Sequence, residues 1–285
     1  MLRGKICVVT GASRGVGRGV ALALASEGAT VYVTGRTQQS QQAILPGTLH
    51  DTVKDIEQRG GQGIAVPCDH RDDVQVRALF ERIEREHGGL DLLVNNASAI
   101  PDRLTEPGPF WHKPLALSCM IDVGLRSNYV AAYYAAPLLV AKGAGLLVNI
   151  SSFGARCYMH GPAYGAVKAA NDKMAHDMAH DLRPFGIAAV SLWLGLVKTE
   201  RTMALCATEP EKYASLLAHA ESPEFAGRVI AGLLRNPQRM DNSGQVLIAA
   251  ELAQEYGISD IDDSQPPSHR AFLGSPPAWN AAVIE

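Results

Sequence analysis

Nothing in this chain leans heavily on one kind of residue. Acids and bases nearly cancel, leaving a formal net charge of −3 with the two signs interspersed. That leaves no basic stripe for a nucleic-acid backbone and no cationic face for an anionic membrane surface. The five cysteines (Cys7, Cys68, Cys119, Cys157 and Cys206) are odd in number, scattered, and mostly inside apolar runs, as expected of reduced thiols rather than a disulfide framework. Long hydrophobic runs are missing as well. The best membrane candidate, residues 129–141, stops at Lys142 and contains Pro137, short of the roughly 20 residues a spanning helix needs. The amino terminus has no basic-apolar-small leader pattern, so the expectation is a soluble, cytoplasmic protein. Metal spacing is absent too. His176 and His180 have the spacing of a zinc helix without its glutamate, and Asp260, Asp262 and Asp263 lack the glycine and final glutamate of a calcium loop.

What is present is an alternation. Apolar runs of strand length at 5–10, 30–34, 63–67, 90–94, 145–150, 186–193 and 244–249 are separated by stretches of helical spacing at 18–27, 71–87, 115–141, 163–183 and 225–234, with a loop and helix over 38–60. The long stretch 115–141 should be interrupted or bent near Gly124 and Pro137. A chain of 285 residues ordered this way predicts an α/β protein: a Rossmann-type, doubly wound, seven-stranded and mainly parallel sheet with helices on both faces. Residues 1–258 are expected to form one domain, with 196–223 as a lid over the site. The tail 259–285 should lie on the surface or against a partner subunit.

The chemistry concentrates after the fifth strand. Tyr164 and Lys168 stand four apart on a helix, so both project from one face. A fixed ammonium favours the phenolate, which brings a tyrosine toward working range as an acid or base. Ser152, at the end of the preceding strand, offers a hydroxyl to a developing oxyanion. At the first strand-to-helix turn, Gly11, Ser13, Arg14, Gly15, Val16 and Gly17 form a glycine-rich loop. There, free N–H groups and the positive end of a helix can hold a pyrophosphate. Past the second strand stands Arg36 where an acid would select a ribose hydroxyl, and Arg14 offers a second guanidinium, so the cofactor reads as NADP(H). Asp69, after the third strand, can accept from an adenine amine or cap the next helix. Asn95 and Asn96 can lock the sheet and contact a ribose, or serve only as turn residues. Phe110, Trp111, Tyr158, Met159, Met203, Leu216 and Leu217 fall in segments that should rim the site and suggest an apolar substrate.

Together, Thr10-Gly11-x-x-x-Gly15-x-Gly17, Asn95-Asn96-Ala97, Ser152 and Tyr164-x-x-x-Lys168 resemble the short-chain dehydrogenase/reductase family over roughly residues 4–250. The stretches 123–126, 191–193 and 249–260 resemble more narrowly the group around the dehydrogenase/reductase SDR family member 1. The resemblance implies that Ser152 bonds the substrate oxygen, Tyr164 passes the proton, and Lys168 holds the nicotinamide ribose and lowers the tyrosine pKa. It also implies Asn96 and Ala97 beside the cofactor ribose, Val197 and Thr199 near the nicotinamide amide, and hydride transfer between NADP(H) and a carbonyl or alcohol. Partners implied are a small-molecule substrate and a second copy of the chain, as a homodimer or homotetramer. Three departures stand out. The family's helix asparagine, which holds a water for the lysine, falls on Gly124 or Asp122, with Asn128, a turn further on, either filling that role or being only a helix-surface residue. The usual Pro-Gly after the sixth strand is Leu194-Gly195, which should loosen that turn, and Ser98 replaces a glycine. The missing asparagine keeps an alternative in view, a catalytically weak NADP(H)-binding protein that acts through partners. An enoyl reductase fits less well, because its Tyr-to-Lys spacing is wider.

Overall fold

Aliphatic runs such as Ile6–Val9 have no polar side to offer water, so they are buried on both faces as strands of a parallel sheet. The computed structural model describes residues 1–39 and 45–284. The strands are β1 (Ile6–Val9), β2 (Thr30–Gly35), β3 (Gln62–Pro67), β4 (Leu92–Asn95), β5 (Gly145–Ser152), β6 (Ile187–Leu194) and β7 (Val246–Ile248). Among the described residues they form one seven-stranded sheet in the order β3-β2-β1-β4-β5-β6-β7, every neighbouring pair parallel. The order reverses between β1 and β4, and a crevice opens there beyond the carboxyl ends of the strands.

The helices are α1 (Gly15–Ser26), α2 (Leu49–Gln58), α3 (Asp73–His87), α4 (Cys119–Ile121), α5 (Ser127–Lys142), α6 (Pro162–Leu182), α7 (Glu200–Cys206), α8 (Pro210–Ala218), α9 (Phe225–Arg235), α10 (Ala249–Tyr256) and α11 (Arg270–Leu273). One core layer joins α1, α2, α9 and α10 to the sheet through Val20, Leu24, Ile56, Val229 and Leu252. The other joins α3, α5 and α6 through Phe80, Ile83, Leu139 and Leu182. Part of the loop expected over 38–60, residues 40–44, lies outside the described residues. None of the described helices is long and apolar enough to cross a membrane.

The stretch 115–141 is interrupted at Gly124, as expected: a 3-10 turn and α4 lead to a break where Gly124 takes φ +138°, α5 starts at Ser127, and Pro137 lies inside α5. A left-handed backbone at that point suits only glycine without strain. The expected lid segment contains α7, capped by the Thr199 hydroxyl, and α8. The tail crosses back over the body: the His269 ring packs edge-on against Phe153, and Trp279 stacks on His176 at 4.8 Å.

Candidate active site

A groove of about 660 Å³ runs along the crevice, lined by Gly11, Ser13, Arg14, Gly15, Val16, Gly17, Arg36, Asn96, Ala97 and Thr199 among others. The glycine loop brings its backbone against β4. A Cβ at Gly17 would lie 2.4 Å from both the Gly11 carbonyl and the Asn96 amide nitrogen, so no side chain fits. Asn96 donates to the carbonyls of Thr10 (2.8 Å) and Gly11 (3.1 Å), tying the loop to the end of β4. The amino end of α1 attracts anions, and it already holds one: the Glu200 carboxylate accepts from the Gly15 N–H at 2.8 Å. A carboxylate at that N–H shows that the donor set suits an anionic diphosphate.

The remaining expected cofactor residues are distributed unevenly. Arg36 is exposed at the groove and has no ion-pair partner among the described residues. Arg14 lines the groove, but its guanidinium is held by the carbonyls of Pro46 (2.9 Å) and Gly47 (2.7 Å) and by the Thr37 hydroxyl (3.3 Å). Asp69 does not cap α3; Asp72 does, accepting from Val74 and Gln75, while Asp69 is paired with Arg71 at 2.7 Å. That pairing holds the Asp69 carboxyl down at about 2. The groove wall at this point is made by Cys68 and His70. Thr199 reaches the groove, whereas the Val197 side chain packs into the core and its backbone bridges to Glu221.

The three candidate catalytic side chains come together. The Ser152 and Tyr164 hydroxyls are 2.8 Å apart at the end of β5, and Lys168 Nζ stands over the Tyr164 ring at 5.6 Å from its centroid. Lys168 Nζ donates to the Ile150 carbonyl at 3.2 Å. One expectation is corrected here. Burial pushes the Tyr164 phenol above its ordinary value, offset partly by the Ser152 hydrogen bond, and burial lowers Lys168 to about 8. A four-residue spacing places the amine over the ring rather than beside the hydroxyl, so desolvation outweighs the cation.

Behind this trio lies a lattice of carboxamides. Asn95 donates to Asn149 (3.0 Å) and to the Asn128 carbonyl (3.1 Å), locking β4, β5 and α5 together. Asn128 is 3% exposed rather than a helix-surface residue, because the break at Gly124 turns it inward. It donates to the Gly124 carbonyl at 2.8 Å and to Asn171 at 2.9 Å, and Asn171 donates to the same carbonyl at 2.7 Å. Two of the sequence departures are one packing event. A Cβ at Gly124 would lie 3.0 Å from the Ser98 hydroxyl, so Ser98 fills the space a side chain at 124 would need. The third departure does not loosen its turn, because the Gly195 N–H donates to the buried carboxyl of Glu221. Sequence reasoning missed Glu200, His70, Asn171, Asp172 and Glu221. Only Asp172, one helical turn past Lys168, carried a spacing signal. Of the expected rim, Phe110, Trp111, Tyr158, Met203 and Leu216 are exposed, while Met159 packs beside Phe153 and Trp193.

Comparison with known proteins agrees with this geometry. Residues 5–210 match the family model for short chain dehydrogenase. The chain is 42% identical over 272 residues to the dehydrogenase/reductase SDR family member 1 of Mus musculus and of Homo sapiens, covering 92% of this chain and 84% of each relative. A crystal structure of 7α-hydroxysteroid dehydrogenase complexed with NADH and 7-oxo glycochenodeoxycholic acid superposes with a TM-score of 0.72 at 27% identity, covering 87% of this chain and 93% of that one. A 3-oxoacyl (acyl-carrier-protein) reductase from Agrobacterium tumefaciens with NADP bound superposes at 0.73 and 27% identity, with the same coverage.

Proposed function

The chain belongs to the short-chain dehydrogenase/reductase family, and on that premise we propose that it is an NADP(H)-dependent enzyme interconverting a carbonyl and an alcohol on an apolar substrate. A dehydrogenase/reductase activity comes with the family. The observation that carries the finer reading is the pair of hydroxyls, Ser152 and Tyr164, 2.8 Å apart at the end of β5 with Lys168 one helical turn on, in a fold whose first helix start binds an anion. A bound nicotinamide dinucleotide supplies or accepts the hydride. Gly15 to Gly17, Asn96 and Thr199 would hold it, and Arg36 would supply the charge that a 2′-phosphate needs. Ser152 orients the substrate oxygen, and Tyr164 holds the proton that oxygen gains or loses. Burial keeps Tyr164 protonated at neutral pH, as a proton donor in carbonyl reduction must be.

NADP(H) is preferred on the charge at the end of β2, where Arg36 is exposed and no acid follows the strand. Solved structures of the same fold carry NADH in one case and NADP in another, so the preference for NADP(H) rests on Arg36 and not on the architecture. The exposed Phe110, Trp111, Tyr158, Met203 and Leu216 favour an apolar ketone, aldehyde or steroid-like compound. The reading as a weakly catalytic binding protein is not favoured, because the hydroxyl pair and the lysine are assembled. The test is turnover of a panel of ketones and aldehydes with NADPH: Tyr164→Phe should abolish it while leaving the NADPH Kd nearly unchanged. A variant that reduces the panel as fast as the parent would mean that Tyr164 is not the proton donor.

A further inference from the structure

Lys168 has a problem that the trio alone does not solve. Lys168 is partly buried, its amine donates to the Ile150 carbonyl as its one hydrogen-bond acceptor among the described residues, and desolvation lowers its pKa from 10.5 to about 8. An ammonium without a countercharge in such a place gives up its proton. Elsewhere in the family a helix asparagine supports the lysine through a water. Gly124 has no side chain to hold that water. The Gly124 carbonyl, at the position where the asparagine would stand, already accepts from both Asn128 and Asn171, and a carbonyl has two lone pairs.

One charge does lie within reach. Asp172, one turn beyond Lys168 on α6, is 1% exposed. Its carboxylate accepts from the Ser191 hydroxyl (2.5 Å) and from the Trp193 indole N–H (3.1 and 3.0 Å), both on β6. Donors aimed at a buried carboxylate favour its ionised form. The surroundings are otherwise uncharged. Ser151 on β5 donates to the Lys168 carbonyl, Tyr164 is a neutral phenol, Lys173 is exposed and paired with Asp177, and His176, one turn on, is engaged with the Gly244 carbonyl. The one charge acting on Lys168 is Asp172, and the one acting on Asp172 is Lys168.

We propose that Asp172 is a positioning residue for the reaction: its buried carboxylate is the countercharge that keeps Lys168 an ammonium, the task left open by the glycine at 124. This rests on the reading of Tyr164 and Lys168 given above. It also carries a pH signature. Burial raises the Asp172 carboxyl from 3.8 to about 6, so the countercharge is present above that pH and disappears below it. Neutralising Asp172 by mutation should therefore matter at pH 8 and hardly at pH 5.5.

The experiment follows the Lys168 side chain directly, by 13C NMR of lysine-labelled full-length protein with NADPH bound, the resonance being assigned from its loss in Lys168→Arg. Asp172→Asn should lower the Lys168 midpoint by about one pH unit or more. Asp172→Glu, which restores a carboxylate, should return it most of the way. The ratio of parent to Asp172→Asn turnover should rise from near one at pH 5.5 to about tenfold at pH 8. A purely structural role would depress turnover by the same factor at both pH values and leave the midpoint in place, and either result overturns the proposal. If Asp172→Asn does not fold, Ser191→Ala serves instead. Removing one donor should let the carboxylate keep its proton to higher pH and lower the Lys168 midpoint, and an unmoved midpoint again overturns the proposal. The two readings fail separately, since an active Tyr164→Phe refutes the trio without touching the Lys168 titration.

Discussion

Glu221, near the end of the lid segment, is 2% exposed, and its Oε1 has no hydrogen-bond partner among the described residues. Burial raises its carboxyl from 4.5 to about 8, the Gly195 N–H opposing and the nearby Asp260 reinforcing the shift. A native pKa above the unfolded value means that the folded state holds the proton more tightly. The stability this confers is complete below pH 4.5 and is lost progressively as pH rises through about 8. At about 1.4 kcal/mol per pH unit for one proton, the full loss across that window reaches about 4–5 kcal/mol. Glu221→Gln keeps the shape and the acceptor for Gly195 but cannot ionise. Unfolding by urea should therefore find the variant close to the parent at pH 5 and several kcal/mol more stable than it at pH 8.5. The reasoning is refuted if the difference between the two is the same at both pH values. The consequence reaches the site, because the Glu221 backbone is paired with Leu196 and Lys198, directly before Thr199.

Three further outcomes follow from the same geometry. Glu200 occupies the N–H that a diphosphate must take, so Glu200→Gln should tighten NADPH binding by about tenfold, a charge-assisted bond being worth about 1.5–3 kcal/mol. Fluorescence titration reads this, and a weakened Kd would mean that the carboxylate helps rather than competes. Arg36→Asp should lower the NADPH-to-NADH ratio of kcat/KM at least tenfold, whereas an unchanged ratio would remove Arg36 from the 2′-phosphate site. Exposed Tyr129 and Tyr133 on α5 and Phe185 after α6 leave apolar area for a second copy. Sedimentation at micromolar concentration should show a dimer or tetramer, and a monomer alone would count against it.

The residues that were legible in the sequence share a property: their role follows from neighbours within one strand, turn or helical turn. The period of the apolar runs gave the seven strands, the glycines at the first turn gave the anion cradle, and the four-residue step from Tyr164 gave Lys168 on the same face. What escaped was set by contacts between distant segments. Arg14 reads as a free guanidinium until the carbonyls of Pro46 and Gly47 fold over it. Asn128 reads as a surface residue until the break at Gly124 turns it inward. Glu200 stands 185 positions from the N–H it caps, and no local pattern announces such a partner.

Sequence by itself therefore determined the architecture, the identity of the three candidate catalytic side chains and the glycine turn that lines the groove, since strand and helix periodicities and single-turn spacings are local properties of the chain. Tertiary structure alone decided the electrostatics: which charges are paired, which carbonyls are already taken, and that burial rather than the neighbouring amine sets the Tyr164 proton affinity. Those quantities depend on solvent exclusion and on contacts across the fold, and neither exists before the layers have packed.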